Sequence, residues 1–195
     1  MKKQIICLLV VLSLIAVPLW AGSPDGGTRQ AAHFFPASKI IKLQISGSAI
    51  PLANPLTGPF PIMANMEGSG NIGHMSGQGM FLYDQLIFDN NGKTNLQFLE
   101  GQESFRLQIN GEVLLGVFDP GETGWLQIID PATGSAVWEQ NWTGRIVGGT
   151  GRFAGMQGTF KKSASGFAVL FSGPGQPASA VVQPYSGTME IRLDE

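Results

Sequence analysis

Residues 105–118 read FRLQINGEVLLGVF, and this stretch decides the class of fold. Every second residue in 105–109 is apolar, which is the period of a strand with one buried face. Asn110-Gly111 is the residue pair that tight hairpin turns favour. The run 113–118 that follows is apolar on both faces, so it is predicted to be a central strand covered on both sides or part of a subunit interface. The stretch as a whole predicts a β-hairpin.

The same two-residue alternation recurs along the chain, at residues 41–45 and 189–193. Glycine and proline interrupt the sequence so often that helices have little room. Further runs with strand character lie at 79–88, 94–99, 112–118, 124–130, 136–147 and 157–171. The pattern predicts an all-β chain that folds as a single antiparallel, roughly eight-stranded closed barrel, because closure removes exposed strand edges.

The composition is unusual in glycine and in charge. The chain has 195 residues, of which 27 are glycine and 13% are charged, and its formal net charge is −2. A near-neutral charge argues against a nucleic-acid partner, which normally requires a basic face. The glycines concentrate at 68–79 and 148–158, where they are predicted to serve turns, bulges and tight curvature.

The N-terminal segment has the pattern of a secretory signal. Lys2 and Lys3 precede an apolar run over 5–20 that is short for a membrane span. We expect a signal peptide at 1–21, a flexible leader at 22–37 and the barrel domain at 38–195, with an uncleaved anchor as the alternative. The protein is then exported, periplasmic or secreted, without a stable membrane span after cleavage. Cleavage also removes Cys7, so no disulfide or thiolate is expected.

Two motifs in the sequence do not indicate a cofactor or a metal. Residues 68–73 match the G-x-G-x-x-G spacing of dinucleotide-binding proteins. That motif requires a helix immediately afterwards, and Gly77 and Gly79 prevent one. The chain has two histidines, His33 in the leader and His74, and no metal-ligand spacing occurs, so the ordinary role of His74 is packing or hydrogen bonding. We expect no cofactor and no metal.

Two tryptophans are the strongest candidates for ligand contact. Trp138 and Trp142 lie four residues apart in a strand, so they share one face, together with Gln140 and Ile146. Such a face would line a cavity wall that holds a flat apolar ligand, although ordinary barrel packing or a subunit contact is the alternative. The polar groups that could complete such a cavity are Glu67, Asp84 and Arg152.

Residues 146–160 read IVGGTGRFAGMQGTF, a strand end, a glycine turn and a new strand. This segment resembles the Gly-Gly-Thr-Gly-x-Phe turn of dirigent proteins and allene-oxide-cyclase-like barrels, especially a bacterial exported branch of that superfamily. Residues 70–77, GNIGHMSG, are similar to the branch's Gly-x-x-x-His-Leu-Gly stretch. The resemblance implies an eight-stranded calycin-type barrel with an apolar interior, assembled as a homo-oligomer. The shared motif is a turn, so it implies a fold and not a reaction.

Three functions remain open on the sequence alone. The first is an exported barrel that binds a small apolar molecule without transforming it. The second is a cofactor-free isomerase or cyclase acting on a lipid or phenolic substrate, with His74 or Glu67 transferring the proton. The third is a structural or interaction protein in which the strand at 113–118 forms an oligomer interface. The candidate site residues are His74, Trp138, Trp142 and Arg152.

Overall fold

The computed structural model describes residues 40–108, 111–173, 176–177 and 183–194. The predicted signal peptide and leader lie outside these residues. The described strands are β1 (Ile40–Pro51), β2 (Phe60–Gly70), β3 (Gly73–Tyr83), β4 (Lys93–Leu107), β5 (Val113–Phe118), β6 (Gly121–Asp130), β7 (Ser135–Gly149), β8 (Gly158–Val169), β9 (Phe171–Gly173), β10 (Gln176–Pro177) and β11 (Gln183–Leu193). A short 3-10 turn, Gly151–Phe153, separates β7 from β8. No helix in these ranges is long and apolar enough to cross a membrane.

Eight strands form a closed antiparallel ring in the order β1-β2-β3-β4-β5-β7-β8-β11. The ring closes because β11 pairs with β1, from Ile40 opposite Arg192 to Ala49 opposite Gln183. Strand β6 continues the line of β5 and pairs with the remaining parts of β4 and β7. The predicted all-β, eight-stranded closed barrel is therefore confirmed.

The hairpin predicted at residues 105–118 joins β4 to β5. Arg106 lies opposite Val113 and Gln102 lies opposite Val117, so the predicted pairing is confirmed. Gly111 has a φ of 72°, the left-handed region that favours glycine, while Ile109 and Asn110 lie outside the described residues.

Among the described residues, strand β5 is covered on one face only. Leu114 and Phe118 are buried in the barrel, whereas 46% of Leu115 is exposed on the outside. Within the described residues the expectation of a central strand covered on both sides is therefore wrong, because the strands form a single layer and nothing described lies over the outer face of β5. The subunit-interface alternative stays a prediction.

Aromatic rings fill the interior of the barrel and pack edge to face. The ring centroid of Phe118 lies 4.7 Å from that of Phe160 and 5.1 Å from that of Phe81. Such tilted contacts are the favoured geometry for aromatic pairs. Phe118 is also 6.4 Å from Trp142, so the ring cluster extends to the tryptophan face of β7.

Glycines in the middle of strands make room for these rings. A Cβ added at Gly101 would lie 2.7 Å from a ring carbon of Phe81, and one added at Gly116 would lie 2.8 Å from a ring carbon of Phe105. Turns and curvature therefore account for only part of the glycine content. The sequence interpretation missed this second role, because the ring that faces each glycine comes from another strand.

Candidate ligand-binding site

A cavity of about 70 Å³ lies inside one end of the barrel, which we call the upper end. This end carries the connections 52–59, 84–92 and 131–134. The first two are tied together, since the Leu86 N–H donates to the Pro55 carbonyl oxygen at 2.9 Å. Pro55 and Leu86 also line the cavity. The cavity is therefore bounded both by strands and by the connections above them.

The inner face of β7 supplies one wall of the cavity. Trp138, Gln140 and Trp142 line it, and each is less than 9% exposed. Ile146 points inward from the same strand but packs further down, opposite Gly158 at the start of β8. All four β7 residues predicted to share a face therefore do so, and three of them, all but Ile146, line the cavity.

A continuous chain of buried hydrogen bonds fixes the polar side of this wall. The Trp142 Nε1–H donates to Tyr83 Oη at 3.2 Å, and the Tyr83 hydroxyl donates to Gln140 Oε1 at 3.2 Å. Gln140 Nε2 donates to Thr123 Oγ1, which donates to the Leu96 carbonyl oxygen. Because each group is satisfied by its neighbour, the side chains are held in place before any ligand arrives.

The floor of the cavity holds a buried ion pair. Lys162 Nζ donates to Glu103 Oε2 at 2.7 Å, and the two side chains are only 3% and 0% exposed. Lys162 also lines the cavity, and its Nζ lies 5.8 Å from each of the ring centroids of Phe81, Phe118, Trp142 and Tyr185. An ammonium group within about 6 Å of aromatic faces is attracted to them. The ammonium therefore has one anionic partner and an aromatic surround.

The second carboxylate oxygen of Glu103 has no hydrogen-bond partner among the described residues. It points towards Gly77 on β3, where an added Cβ would lie 2.8 Å from this oxygen. A buried carboxylate oxygen without a donor is costly, so the pair is not arranged for maximal stability. The Lys162–Glu103 pair is thus a charged pair buried inside the barrel.

Sequence reasoning missed both members of this pair, although the strand period could have found them. Lys162 lies between the inward-facing Phe160 and Ala164 on β8. Glu103 lies two residues before Phe105, at the same phase of β4 as the alternating residues of the hairpin. Lysine and glutamate are almost always exposed, and that general expectation concealed the pattern.

Both tyrosines of the chain, Tyr83 and Tyr185, line the cavity. Burial raises the pKa of Tyr83 far above its usual value, and its hydrogen bonds with Trp142 and Gln140 offset only part of that rise. Burial is also the main cause of the raised pKa of Tyr185, to which the negative charge of Glu103 adds. Neither hydroxyl is available as a base at neutral pH.

We expect these tyrosines to make the protein unusually sensitive to alkali. Unfolded tyrosine loses its proton near pH 10, whereas the folded protein retains both protons at higher pH. The two tyrosines therefore leave the free energy of unfolding unchanged below about pH 10. Above that pH, each of them lowers it by about 1.4 kcal/mol per pH unit. Urea unfolding at successive alkaline pH values measures the slope, and Tyr185→Phe should halve it. Ultraviolet detection of phenolate in folded protein near pH 10 would contradict the prediction.

The other polar residues that the sequence suggested do not line the cavity. His74 is exposed at the start of β3 and Arg152 lies in the turn after β7, both at the opposite, lower end of the barrel. Glu67 is exposed and accepts a hydrogen bond from Gln108 Nε2 at 3.1 Å. Asp84 is exposed beside the upper connections. The proposed polar groups of the cavity are therefore replaced by Lys162, with Glu103 below it.

The glycine turn of the family resemblance fastens the lower end of the barrel. Thr150 Oγ1 accepts a hydrogen bond from the Val113 N–H at 2.9 Å, and the Thr150 N–H donates to the Val113 carbonyl oxygen. Arg152 Nε lies 2.7 Å from Glu112 Oε2. Gly151 has a φ of 58°, which favours glycine. The turn thus binds the β4–β5 connection, which is a structural role for Arg152.

Comparison with known proteins gives no further guide. No family model, curated protein or solved structure matches the chain. Among the described residues, no three His, Cys, Asp or Glu side chains are grouped so that they could hold a metal ion.

Proposed function

We propose that the barrel binds a small, mainly apolar molecule in the upper cavity. The observation that carries the proposal is a preformed cavity with an aromatic and aliphatic wall. Its polar groups include the side chains of Gln140 and Lys162 and the hydroxyls of Tyr83 and Tyr185. Ligand sites have this composition, in which apolar surface supplies affinity and a few fixed polar groups orient the ligand. The hydrogen-bond chain holds Tyr83 and Gln140 in place, and Glu103 holds Lys162, which lowers the cost of binding.

The size of the cavity limits what can bind. The cavity of about 70 Å³ is about half the size of an engineered apolar cavity of roughly 150 Å³ that admits benzene. The ligand is therefore a molecule of a few heavy atoms, or the apolar end of a longer molecule whose remainder extends between the upper connections. Its contact with Trp138 and Trp142 provides an optical signal, because both indoles line the cavity.

We expect intrinsic tryptophan fluorescence to change on titration with 1-propanol or 1-hexanol, with native mass spectrometry confirming a single bound molecule. Ala168 is buried and lines the cavity, so Ala168→Leu fills the space and should weaken binding at least about tenfold. The matched control is Ala154→Leu, at an exposed position in the lower end of the barrel. Equal affinity in the two variants, or no signal with any compound, would overturn the proposal.

A cofactor-free isomerase or cyclase is the second candidate, and the buried ion pair favours it. A barrel interior containing only apolar groups would have excluded proton transfer, but Lys162 and Glu103 are present inside. His74 and Glu67 are too exposed and too remote from the cavity for this role. Conversion of a lipid epoxide or phenol that stops in the Glu103→Gln variant would support this candidate.

We also propose that the chain is an exported member of the allene-oxide-cyclase-like barrels. The basic and apolar N-terminal sequence supports export, and the glycine turn at 148–158 joined to a closed eight-stranded ring supports the relationship. An N-terminal sequence that begins near residue 22 in protein recovered from outside the cytoplasm would test the export part of this proposal.

A further inference from the structure

We propose that Lys162 is a carbonyl-capturing amine, which forms a Schiff base with a small apolar aldehyde or ketone in the upper cavity. This inference rests on the proposed function, because the carbonyl compound must first enter the cavity. It names the chemical class of ligand and the residue that holds it.

Lys162 is placed where its amine can meet a molecule bound in the cavity. Its side chain lines the cavity floor and is 3% exposed, so a bound molecule and the amine meet away from water. Among the described residues, Glu103 Oε2 is the only hydrogen-bond partner of the Lys162 Nζ. The ring centroids of Phe118 and Trp142 lie 5.8 Å from the Nζ, and such rings do not replace the Glu103 carboxylate as hydrogen-bond acceptors. Buried lysines in apolar sites are the residues that proteins use for Schiff bases.

Glu103 is placed to act as the base in this reaction. A lysine must lose a proton before it can attack a carbonyl. Glu103 Oε2 is 2.7 Å from the Lys162 Nζ and can take that proton directly. Transfer converts a buried ion pair into a neutral amine and a neutral carboxylic acid. Such a change is less unfavourable in an apolar interior than in water, because the charged forms have lost their hydration.

The reaction balances without any added reagent. The Lys162 amine lone pair forms a C–N bond with the carbonyl carbon, and a proton moves from nitrogen to the carbonyl oxygen to give a carbinolamine. The C–O bond then breaks as Glu103 returns its proton to the departing oxygen, which leaves as water. The products are a protonated Schiff base on Lys162 and the Glu103 carboxylate, so the original charge pair is restored.

The cavity selects the type of carbonyl compound. Lys162 is the only charged residue that lines it within the described chain, so no second cation is present to hold a phosphate or carboxylate on the ligand. The volume of about 70 Å³ admits only a few heavy atoms near the amine. The expected ligand is therefore an uncharged aliphatic aldehyde or ketone, or a longer one with its carbonyl at the buried end.

The test treats the folded protein with propanal, reduces the product with borohydride and locates the propyl group by peptide mapping. Lys161 is an internal control, since it precedes Lys162 on β8 but is exposed on the outer face. We expect labelling of Lys162 to exceed that of Lys161 by on the order of tenfold, and to fall in Ala168→Leu while labelling of Lys161 is unchanged. Because the site is read in the wild-type protein, the result does not depend on a variant that folds poorly.

A parallel titration with 1-propanol separates the two proposals. This alcohol matches propanal in size but has no carbonyl group. If 1-propanol changes the tryptophan fluorescence and the propyl label appears only on exposed lysines, the Schiff-base inference is overturned and the binding proposal stands. If neither compound changes the fluorescence and Lys162 is not labelled, both are overturned.

Discussion

Replacing Lys162 with methionine should lower the free energy of unfolding by about 3–5 kcal/mol. Methionine retains most of the length of the lysine side chain but removes the ammonium. Glu103, whose side chain is fully buried, is then left without any hydrogen-bond partner among the described residues, since its other oxygen already has none. The carboxylate must stay charged without a partner or take up a proton, and both outcomes reduce stability. The attraction between the ammonium and the surrounding rings is lost as well.

A double variant distinguishes a missing charge partner from poor packing. In Lys162→Met combined with Glu103→Leu no buried charge remains, so most of the lost stability should return. The matched control is Lys161→Met, on the exposed face of the same strand, which should change stability by less than about 0.5 kcal/mol. Urea unfolding at neutral pH measures all three. A double variant no more stable than the single one would show that the ion pair does not set the cost.

Replacing Gly144 with alanine should cost about 3 kcal/mol or more, as overpacking of a full core does. Gly144 is buried on the inner face of β7, and an added Cβ would overlap the ring of Phe160 and the backbone carbonyl oxygen of Val117. The ring could turn aside only by disturbing Phe105 and Phe118, against which it packs edge to face. The carbonyl belongs to the neighbouring strand and cannot move without breaking the pairing of β5 with β7.

Gly58→Ala is the control, because nothing lies within 4 Å of the added carbon and the position is in an upper connection. Its expected effect is within about 0.5 kcal/mol. Combining Gly144→Ala with Phe160→Leu should restore only part of the loss, because the overlap with the carbonyl oxygen remains. If Gly144→Ala unfolds at the same urea concentration as the wild-type protein, the proposed fit between glycines and rings is wrong.

The sequence predicts the barrel well because the signals for strands and turns are local. Alternation at 41–45 and 189–193 and the Asn110-Gly111 pair each depend on a few neighbouring residues, and the corresponding strands β1, β11, β4 and β5 are present. Strand β2 is missing from the prediction, since its sequence, FPIMANMEGSG, contains a proline and glycines and no clear alternation. Its partners β1 and β3 impose the strand conformation, and sequence inspection does not reveal partners.

The candidate site is less predictable because it is assembled across the barrel. The tryptophans of β7 are visible from their spacing, since one strand carries both. The Lys162–Glu103 pair joins β8 to β4, which are not neighbours in the ring, so no local pattern unites the two residues. His74 and Arg152 are chemically versatile side chains, which is why the sequence suggests them as site residues. Both lie beside turns at the lower end of the barrel, away from the cavity.

The pairing of β1 with β11 has a consequence for the order in which the protein folds. These are the first and last described strands, so the contact that closes the ring joins residues far apart in the described sequence, and such contacts form slowly. Until β11 docks, the free edges of β1 and β8 remain open to other chains. Tyr185 on β11 also completes the cavity wall. A chain in which β11 has not yet docked therefore lacks both the closed ring and a complete cavity wall, and its open strand edges expose it to aggregation.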